Sequence, residues 1–377
     1  FIMADDLGYA DVGFHGCRDI PTPNLDAMAA SGIRFSNAYV SAPQCAPTRA
    51  GLLTGRYQNR FGFEYNPQPS DPDLGLPLAE RLIPEYLKSA GYVTGACGKW
   101  HLGVSAKYHP RRRGFDEFRG FLGGGHDYLT SNPEAAPYEY KSMLERNGEK
   151  LPLNGYITTW IGNEAAAFVK AHQAEPFFLY VAFNAPHVPK QITRAYHARV
   201  THIEDPARKK YAGMVMAMDD AIGTILKALR DARLEDDTLV VFLSDNGGPL
   251  RKPNGSGNAP LRGEKGDLYE GGIRVPFVVQ WKNRLPCGKT YEKPVISLDL
   301  LPTALAAAGV GLRPDMQLDG VNLAPYLLGT GGIPHSRLCW RFMSGVGGWR
   351  AIREGNWKVV FVKDLSNALG QARMEVR

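Results

Sequence analysis

The chain has 377 residues, of which 44% are hydrophobic and 22% charged, and a formal net charge of +6. That length leaves room for a large domain and a small one, the composition predicts an ordinary globular core, and no apolar run approaches the roughly 20 residues of a membrane helix. The mild positive balance suits an anionic substrate; nucleic-acid binding would need a clustered basic stripe, and no nucleic-acid partner is expected.

The opening "FIM" reads as the end of a buried strand that stops at Asp5-Asp6. The chain is therefore expected to start inside its first element, with any export signal lying before Phe1. Thr22-Pro23 is a helix start, with Leu25, Met28 and Ala29 on one face and Gly32 as the stop. In "PQCAPTRAGLLTGR", Pro47 suits the first residue of a helix running through Leu52-Leu53 to Gly55. Cys45 would sit just before that helix, where unpaired N–H groups and the dipole favour a tetrahedral anion and depress a thiol pKa. Arg49 adds a guanidinium one turn in. Two readings of Cys45 follow from its position: a thiolate nucleophile, or a buried inert cysteine.

Further on, Pro84 opens a short helix ending at Ala90 before Gly91. "YVTGAC", from Tyr92, ends at Gly98-Lys99-Trp100-His101. The run Arg111-Arg112-Arg113 is either a solvated loop or a rim that attracts an anionic ligand. "FFLYVAF", from Phe177, ends at Asn184-Ala185-Pro186-His187. After Asp205-Pro206 a long helix shows Tyr211, Val215, Met218, Ile222, Ile225 and Leu229 at helical spacing, which is core packing. "TLVVFLS", from Thr238, ends at Asp245-Asn246-Gly247-Gly248. Continuous apolar runs of this kind read as strands buried on both faces. With helices between them they predict an α/β sandwich with a largely parallel central sheet. Gly329-Thr330-Gly331-Gly332 is a hinge, and "RLCWRF" and "WRAIREGNWKVVFV" are strands joined at Glu354-Gly355-Asn356. The expected division is a catalytic domain over residues 1–328 and a small C-terminal α+β subdomain over 333–377, built on antiparallel strands and either whole or incomplete. Cys17, Cys45, Cys97, Cys287 and Cys339 form no zinc-like pair, and their odd number leaves at least one unpaired.

In open α/β sheets, ligands bind beyond the carboxyl ends of the strands. That rule brings Asp5, Asp6, Lys99, His101, His187, Asp245 and Asn246 toward one place. Two carboxylate-bearing pairs, Asp5-Asp6 and Asp245-Asn246, offer oxygen ligands only, which suit calcium or magnesium rather than zinc. Taken singly, each pair is equally a turn signal, each lysine a surface residue and each histidine a packed one.

Cys45-Ala46-Pro47-Thr48-Arg49 followed by Leu53-Thr54-Gly55-Arg56 resembles the sulfatase signature. "MADDLGYADVGFHG", "GYVTGACGKWHLG", "NAPHVP", "LSDNGG" and "LRGEKGDLYEGGIRVP" resemble that family's other blocks, in its order and over nearly the whole chain. The resemblance implies an alkaline-phosphatase-like fold and a cysteine, Cys45, oxidised after translation to formylglycine by a formylglycine-generating enzyme. Asp5, Asp6, Asp245, Asn246 and residue 45 would hold one calcium ion. A hydroxyl of the formylglycine hydrate would attack sulfur with help from Arg49. Lys99 and Lys265 would balance the sulfate charge, His187 would protonate the leaving alcohol, and His101 would take a proton from the second hydroxyl to release sulfate. His126 and Asp127, in "GGGHDY", are further candidates for substrate contact, and Trp100, Tyr128 and Trp160 for stacking on a sugar ring.

The resulting expectation is a sulfuric ester hydrolase acting on a sulfated carbohydrate, in the periplasm, outside the cell or in a lysosome as the resemblance implies. The alternatives are a formylglycine-dependent phosphonate or phosphate ester hydrolase and a non-catalytic relative that binds sulfated glycan. The tail "FVKDLSNALGQARMEVR" does not resemble the family's closing segment.

Overall fold

The structure, a computed structural model, describes all residues except 68–70, 252–253, 345–346, 365–370 and 377. Part of the tail singled out above thus lies outside the described residues.

In chain order the strands are β1 (Ile2–Ala4), β2 (Ile33–Phe35), β3 (Ala38–Tyr39), β4 (Val93–Lys99), β5 (Glu117–Phe121), β6 (Leu144–Arg146), β7 (Glu149–Leu151), β8 (Phe177–Ala182), β9 (Val240–Ser244), β10 (Phe277–Gln280), β11 (Lys289–Tyr291), β12 (Val295–Ile296), β13 (Arg337–Ser344), β14 (Gly347–Glu354), β15 (Trp357–Asp364) and β16 (Gln371–Val376). The helices are α1 (Pro23–Ala30), α2 (Cys45–Thr54), α3 (Ile83–Lys88), α4 (Ile157–Ala171), α5 (Arg194–Arg199), α6 (Pro206–Asp231), α7 (Glu270–Ile273), α8 (Leu300–Ala307) and α9 (Ala324–Leu327).

A ten-stranded sheet runs β11-β2-β10-β9-β1-β8-β4-β5-β6-β7. Its centre, β9-β1-β8-β4-β5, is parallel throughout. β10 pairs antiparallel with β9 and β2, and β6 with β5 and β7. Alternation along the central strands feeds two cores. Met3, Ala96, Tyr180 and Leu243 join the core beneath α2 and α3, while Ile2, Cys97, Val181 and Phe242 join the core packed against α4 and α6. Both faces are covered, which is why β1, β8 and β9 read as apolar runs.

Helix starts follow local chemistry, with two differences from expectation. Asp205 caps α6 by accepting from the Arg208 N–H at 2.6 Å. Thr22 makes no such cap; its hydroxyl accepts from Gly13 N and donates to Asp26. Helix α2 begins at Cys45 rather than Pro47, with Gln44 in extended conformation as its N-cap. A proline tolerates any position in a first turn whose N–H groups lack partners, so Pro47 could not fix the boundary.

A four-stranded antiparallel sheet, β13-β14-β15-β16, follows the ten-stranded one. Glu354 pairs with Trp357, so the turn is Gly355-Asn356. Leu338, Trp340, Phe342, Ala351 and Val360 on its inner face share a core with the large sheet. Lys358 and Arg353 are buried there: Lys358 Nζ donates to Glu270 at 2.9 Å and Arg353 to the Tyr39 hydroxyl at 3.0 Å. The small sheet thereby grips α7, just past Lys265.

Candidate active site

Because β1, β9, β4 and β8 are parallel, their carboxyl ends share one rim. Asp5 and Asp6 follow β1, Asp245 and Asn246 follow β9, Lys99 ends β4 with His101 beyond it, and His187 follows β8. Local backbone makes this possible. Gly98 has φ +95, and a Cβ there would lie 2.0 Å from the Ala182 carbonyl oxygen, so a side chain would push β4 off β8 just before Lys99. A Cβ on Gly247 would meet the Gly271 carbonyl oxygen at 1.7 Å, which packs the Asp245 loop against the segment after Lys265. Asp6 and His101 hold φ of 66 and 60, a left-handed conformation that costs a non-glycine residue energy and is found where surrounding structure imposes it.

Helix α2 delivers Cys45 and Arg49 to the same place, and every residue of α2 is buried. Cys45 Sγ lies 3.4 Å from Asp5 Oδ1 and 3.3 Å from Lys265 Nζ. Lys265 also donates to Asp6 Oδ1 at 2.6 Å and Lys99 to Asp5 Oδ2 at 2.5 Å. Arg49 donates to Asp245 Oδ2 at 2.8 Å and to the Lys99 carbonyl at 3.2 Å. The Asp6 N–H donates to Asp245 Oδ1 at 3.1 Å. His187 Nε2 is 3.7 Å from Asp6 Oδ2. Arg49, Lys99, Asp5 and Asp245 are essentially without solvent exposure. Charges buried this deeply persist only when opposed by others, which removes the surface-lysine reading of Lys99.

The electrostatics sort the groups. Burial resists ionisation of Asp5, but Lys99, His187, Arg49 and Lys265 outweigh it and hold Asp5 well below the usual carboxylate range. Burial and then the Asp5 charge push Asp245 up to about 7. Burial pushes His187 down to about 4, although Asp5 and Asp6 pull the other way. Burial, then Lys99 and Arg49, holds His101 far below the usual histidine range. The Cys45 thiol is pushed up, by burial first and Asp5 second. This corrects the depressed thiol pKa expected at a helix start: desolvation and a carboxylate at 3.4 Å outweigh a dipole effect worth at most about 2 kcal/mol. As a thiol, Cys45 is no poised nucleophile.

One carboxylate oxygen from each of Asp5, Asp6 and Asp245 and the Cys45 sulfur lie within 4.8 Å of one another. Asn246 Oδ1 is buried beside them without a hydrogen-bond partner. Three carboxylates and an orphaned amide oxygen fit a hard, oxygen-seeking divalent cation. A thiol does not suit such an ion, whereas an oxygen-bearing side chain at position 45 would complete the set.

The remaining candidates spend their polar atoms on structural bonds or pack into the core, some of them directly beside the site: the Tyr128 hydroxyl also donates to the His187 carbonyl at 2.9 Å. Both ring nitrogens of His126 face backbone carbonyls, those of Asp127 and Ser142. Asp127 accepts from the Leu129 and Thr130 N–H groups and from Gln191. These bonds tie the loop that carries His126 and Asp127 to Ser142 and to Gln191. Trp100 and Tyr128 are buried, with Trp100 Nε1 bonded to the Tyr108 carbonyl and the Tyr128 hydroxyl to the Asn184 carbonyl. Trp160 lies on α4, packed against the core on that face. A partly exposed aromatic beside His187 is Tyr140, 40% exposed, its ring 6.3 Å away; its isolated position in a polar loop gives no sequence signal. Arg111 to Arg113 sit at the amino end of β5, opposite the catalytic rim. Arg113 is buried there against the carbonyls of Leu76, Pro77 and Glu80, so neither reading of the run applies to it, while Arg111 and Arg112 are exposed. All five cysteines are free.

The chain is similar to known proteins over nearly its whole length. A family model described as Sulfatase matches residues 1–310. Human arylsulfatase A is 38% identical over 384 residues, covering 96% of this chain and 74% of its own length. The N-acetylgalactosamine-6-sulfatase of Canis lupus familiaris is 37% identical over 349 residues, covering 87% of this chain; the chain spans 65% of that relative's length. Among solved structures, Ps i-CgsB in complex with k-i-k-neocarrahexaose superposes with a TM-score of 0.93 at 41% identity, covering 99% of this chain and 84% of that one.

Proposed function

The chain belongs to the sulfatase family, and on that premise we propose that it hydrolyses a sulfate ester of a sulfated carbohydrate. The observation that carries the reading is the placement of residue 45. It lies between Asp5 and Lys265, at the start of a helix, with the buried cations Arg49 and Lys99 bonded to the carboxylates beside it. A tetrahedral anion placed there meets positive charge on several sides. The complex of Ps i-CgsB with k-i-k-neocarrahexaose supports an oligosaccharide as the substrate class.

Asp5, Asp6, Asp245 and Asn246 would hold a calcium ion together with the modified residue 45. The ion would supply positive charge for a sulfate oxygen. A formylglycine-generating enzyme would convert Cys45 to an aldehyde, whose hydrate offers the nucleophilic hydroxyl that the protonated thiol does not. Arg49, Lys99 and Lys265 would orient the sulfate and oppose its charge. His187, beside Asp6 at the solvent side, would donate a proton to the departing alcohol; a bound sulfate ester adds negative charge that raises its affinity for that proton. His101, kept neutral by burial and by its cationic neighbours, would serve as the base that frees the product. A site outside the cytoplasm belongs to the same proposal. Among the described residues no helix is long and apolar enough to cross a membrane.

The test supplies modified protein with sulfated oligosaccharides of the neocarrahexaose kind, an aryl sulfate, and the matching aryl phosphate and phosphonate. Sulfate release that outpaces cleavage of both phosphorus esters is expected. Faster cleavage of either phosphorus ester would make the enzyme a phosphoester or phosphonate hydrolase. Binding without any turnover, by protein with verified formylglycine, would leave a glycan-binding role.

A further inference from the structure

We propose that Asn258 is the positioning residue that locks Lys265 to both carboxylate loops, a role that rests on the sulfatase reading and that motif comparison alone does not assign. Asn258 is 1% exposed and lies between the metal-type motif at Asp245 and the block carrying Lys265. Its carboxamide is fully used. Oδ1 accepts from the Gly248 N–H at 3.0 Å and from the Tyr9 N–H at 3.3 Å. Nδ2 donates to the Gly248 carbonyl at 2.7 Å and to the Gly263 carbonyl at 3.1 Å.

Those partners belong to three separate segments. Tyr9 is on the loop that leaves Asp5-Asp6, Gly248 on the loop that leaves Asp245-Asn246, and Gly263 on the turn before Lys265. The neighbouring backbone repeats the connection, since Ala10 N–H donates to the Gly257 carbonyl at 3.0 Å and the Lys265 N–H reaches the Gly248 carbonyl at 3.5 Å. Lys265 has a long flexible side chain, yet its ammonium must meet Asp6 at 2.6 Å and Cys45 at 3.3 Å. Fixing its backbone fixes the point from which that side chain reaches, leaving only its rotamers to vary. Only an asparagine supplies both an acceptor and a donor of this shape. Aspartate would turn an oxygen toward the Gly248 and Gly263 carbonyls, and alanine would leave buried N–H and C=O groups without partners.

Two measurements test this. Hydrogen exchange on protein with unmodified Cys45 reads positioning without activity. In Asn258→Ala and Asn258→Asp, exchange across Leu261–Gly266 is expected to accelerate while β9 stays protected. Unchanged exchange in folded variants overturns the proposal, whatever reaction the protein catalyses. Kinetics on modified protein reads whether the effect passes through Lys265. Asn258→Ala should lower kcat/KM by about 10- to 100-fold. In a Lys265→Ala background the same change should add no more than about twofold. Independent multiplication of the two losses would overturn the link to Lys265. A wild-type protein that releases no sulfate from any ester would instead count against the functional reading, with the exchange result still deciding the positioning claim.

Discussion

Two charge clusters near the same loops, one partly exposed and one buried, are built to different rules. The first surrounds Arg208. Its Nε and Nη2 grip Asp19 at 2.8 and 2.9 Å, its Nη1 donates to Asp11 at 2.6 Å and to the Gly255 carbonyl at 2.9 Å, and Nη2 also reaches Cys17 Sγ at 3.6 Å. Asp11 is completed by the Tyr211 hydroxyl and the Gly257 N–H. The second cluster surrounds Arg49, and there Arg49 Nε, His101 Nδ1 and Asn246 Oδ1 are buried without partners. The first cluster closes its hydrogen bonds and holds loops together. The second keeps donors and acceptors in reserve, at a cost of about 1–3 kcal/mol for each unsatisfied group, which a bound ligand would offset.

The largest effects should come from the open cluster. Cys45→Ala should reduce sulfate release to background with the fold retained. Lys99→Met should lower kcat by about 100- to 1,000-fold, the usual loss when a group that stabilises developing charge is removed. Activity near wild type in either variant would break the contrast. Calcium chelation should abolish turnover and lower the melting temperature, and restored calcium at about 100 times its dissociation constant should return about 3 kcal/mol of stability. A melting curve indifferent to calcium would remove the ion from the account. Arg208→Met should do the reverse of Lys99→Met. It leaves Asp11 buried and unpaired, which costs about 3–5 kcal/mol, while calcium affinity of the protein that remains folded stays unchanged. A loss of calcium affinity without loss of stability would make the closed cluster functional.

The smallest effect is a pH dependence. The hydrogen bonds from Arg208 hold Asp19 down to about 2. A depressed folded-state value means that its contribution is present above the unfolded value near 4 and disappears as pH falls through about 2. Asp19→Asn should flatten the decline in melting temperature over that interval. An identical decline in both proteins would show that the pair contributes nothing to acid sensitivity. The effect is small because the Asp19 side chain is 42% exposed and solvent screens the pair.

The rim that carries the candidate site is legible in the sequence because the largely apolar runs that form β1, β4, β8 and β9 give way to polar residues at or just past their carboxyl ends, and the strand-end rule does the rest. Motif order supplies Cys45, Arg49 and Lys265, which lie on a helix and a loop where no strand rule reaches. Other features leave weaker traces. The outer strands β6, β7 and β11 span three residues each, too short for alternation to register. The start of α2 is hidden because proline marks a first turn without marking its first residue. The direction of the thiol pKa is hidden because the helix end is visible in sequence, while the facing carboxylate depends on tertiary contact across 40 positions. Asn258 and Tyr140 carry no local pattern at all; their roles exist only once three loops meet.

The most direct test of the central claim is to prepare samples with different fractions of formylglycine at position 45, measured by mass spectrometry, and to follow sulfate release in each. The account predicts a rate proportional to that fraction, reaching zero when every molecule carries the unmodified thiol. Sulfate release by fully unmodified protein, at a rate comparable to the modified form, would contradict it.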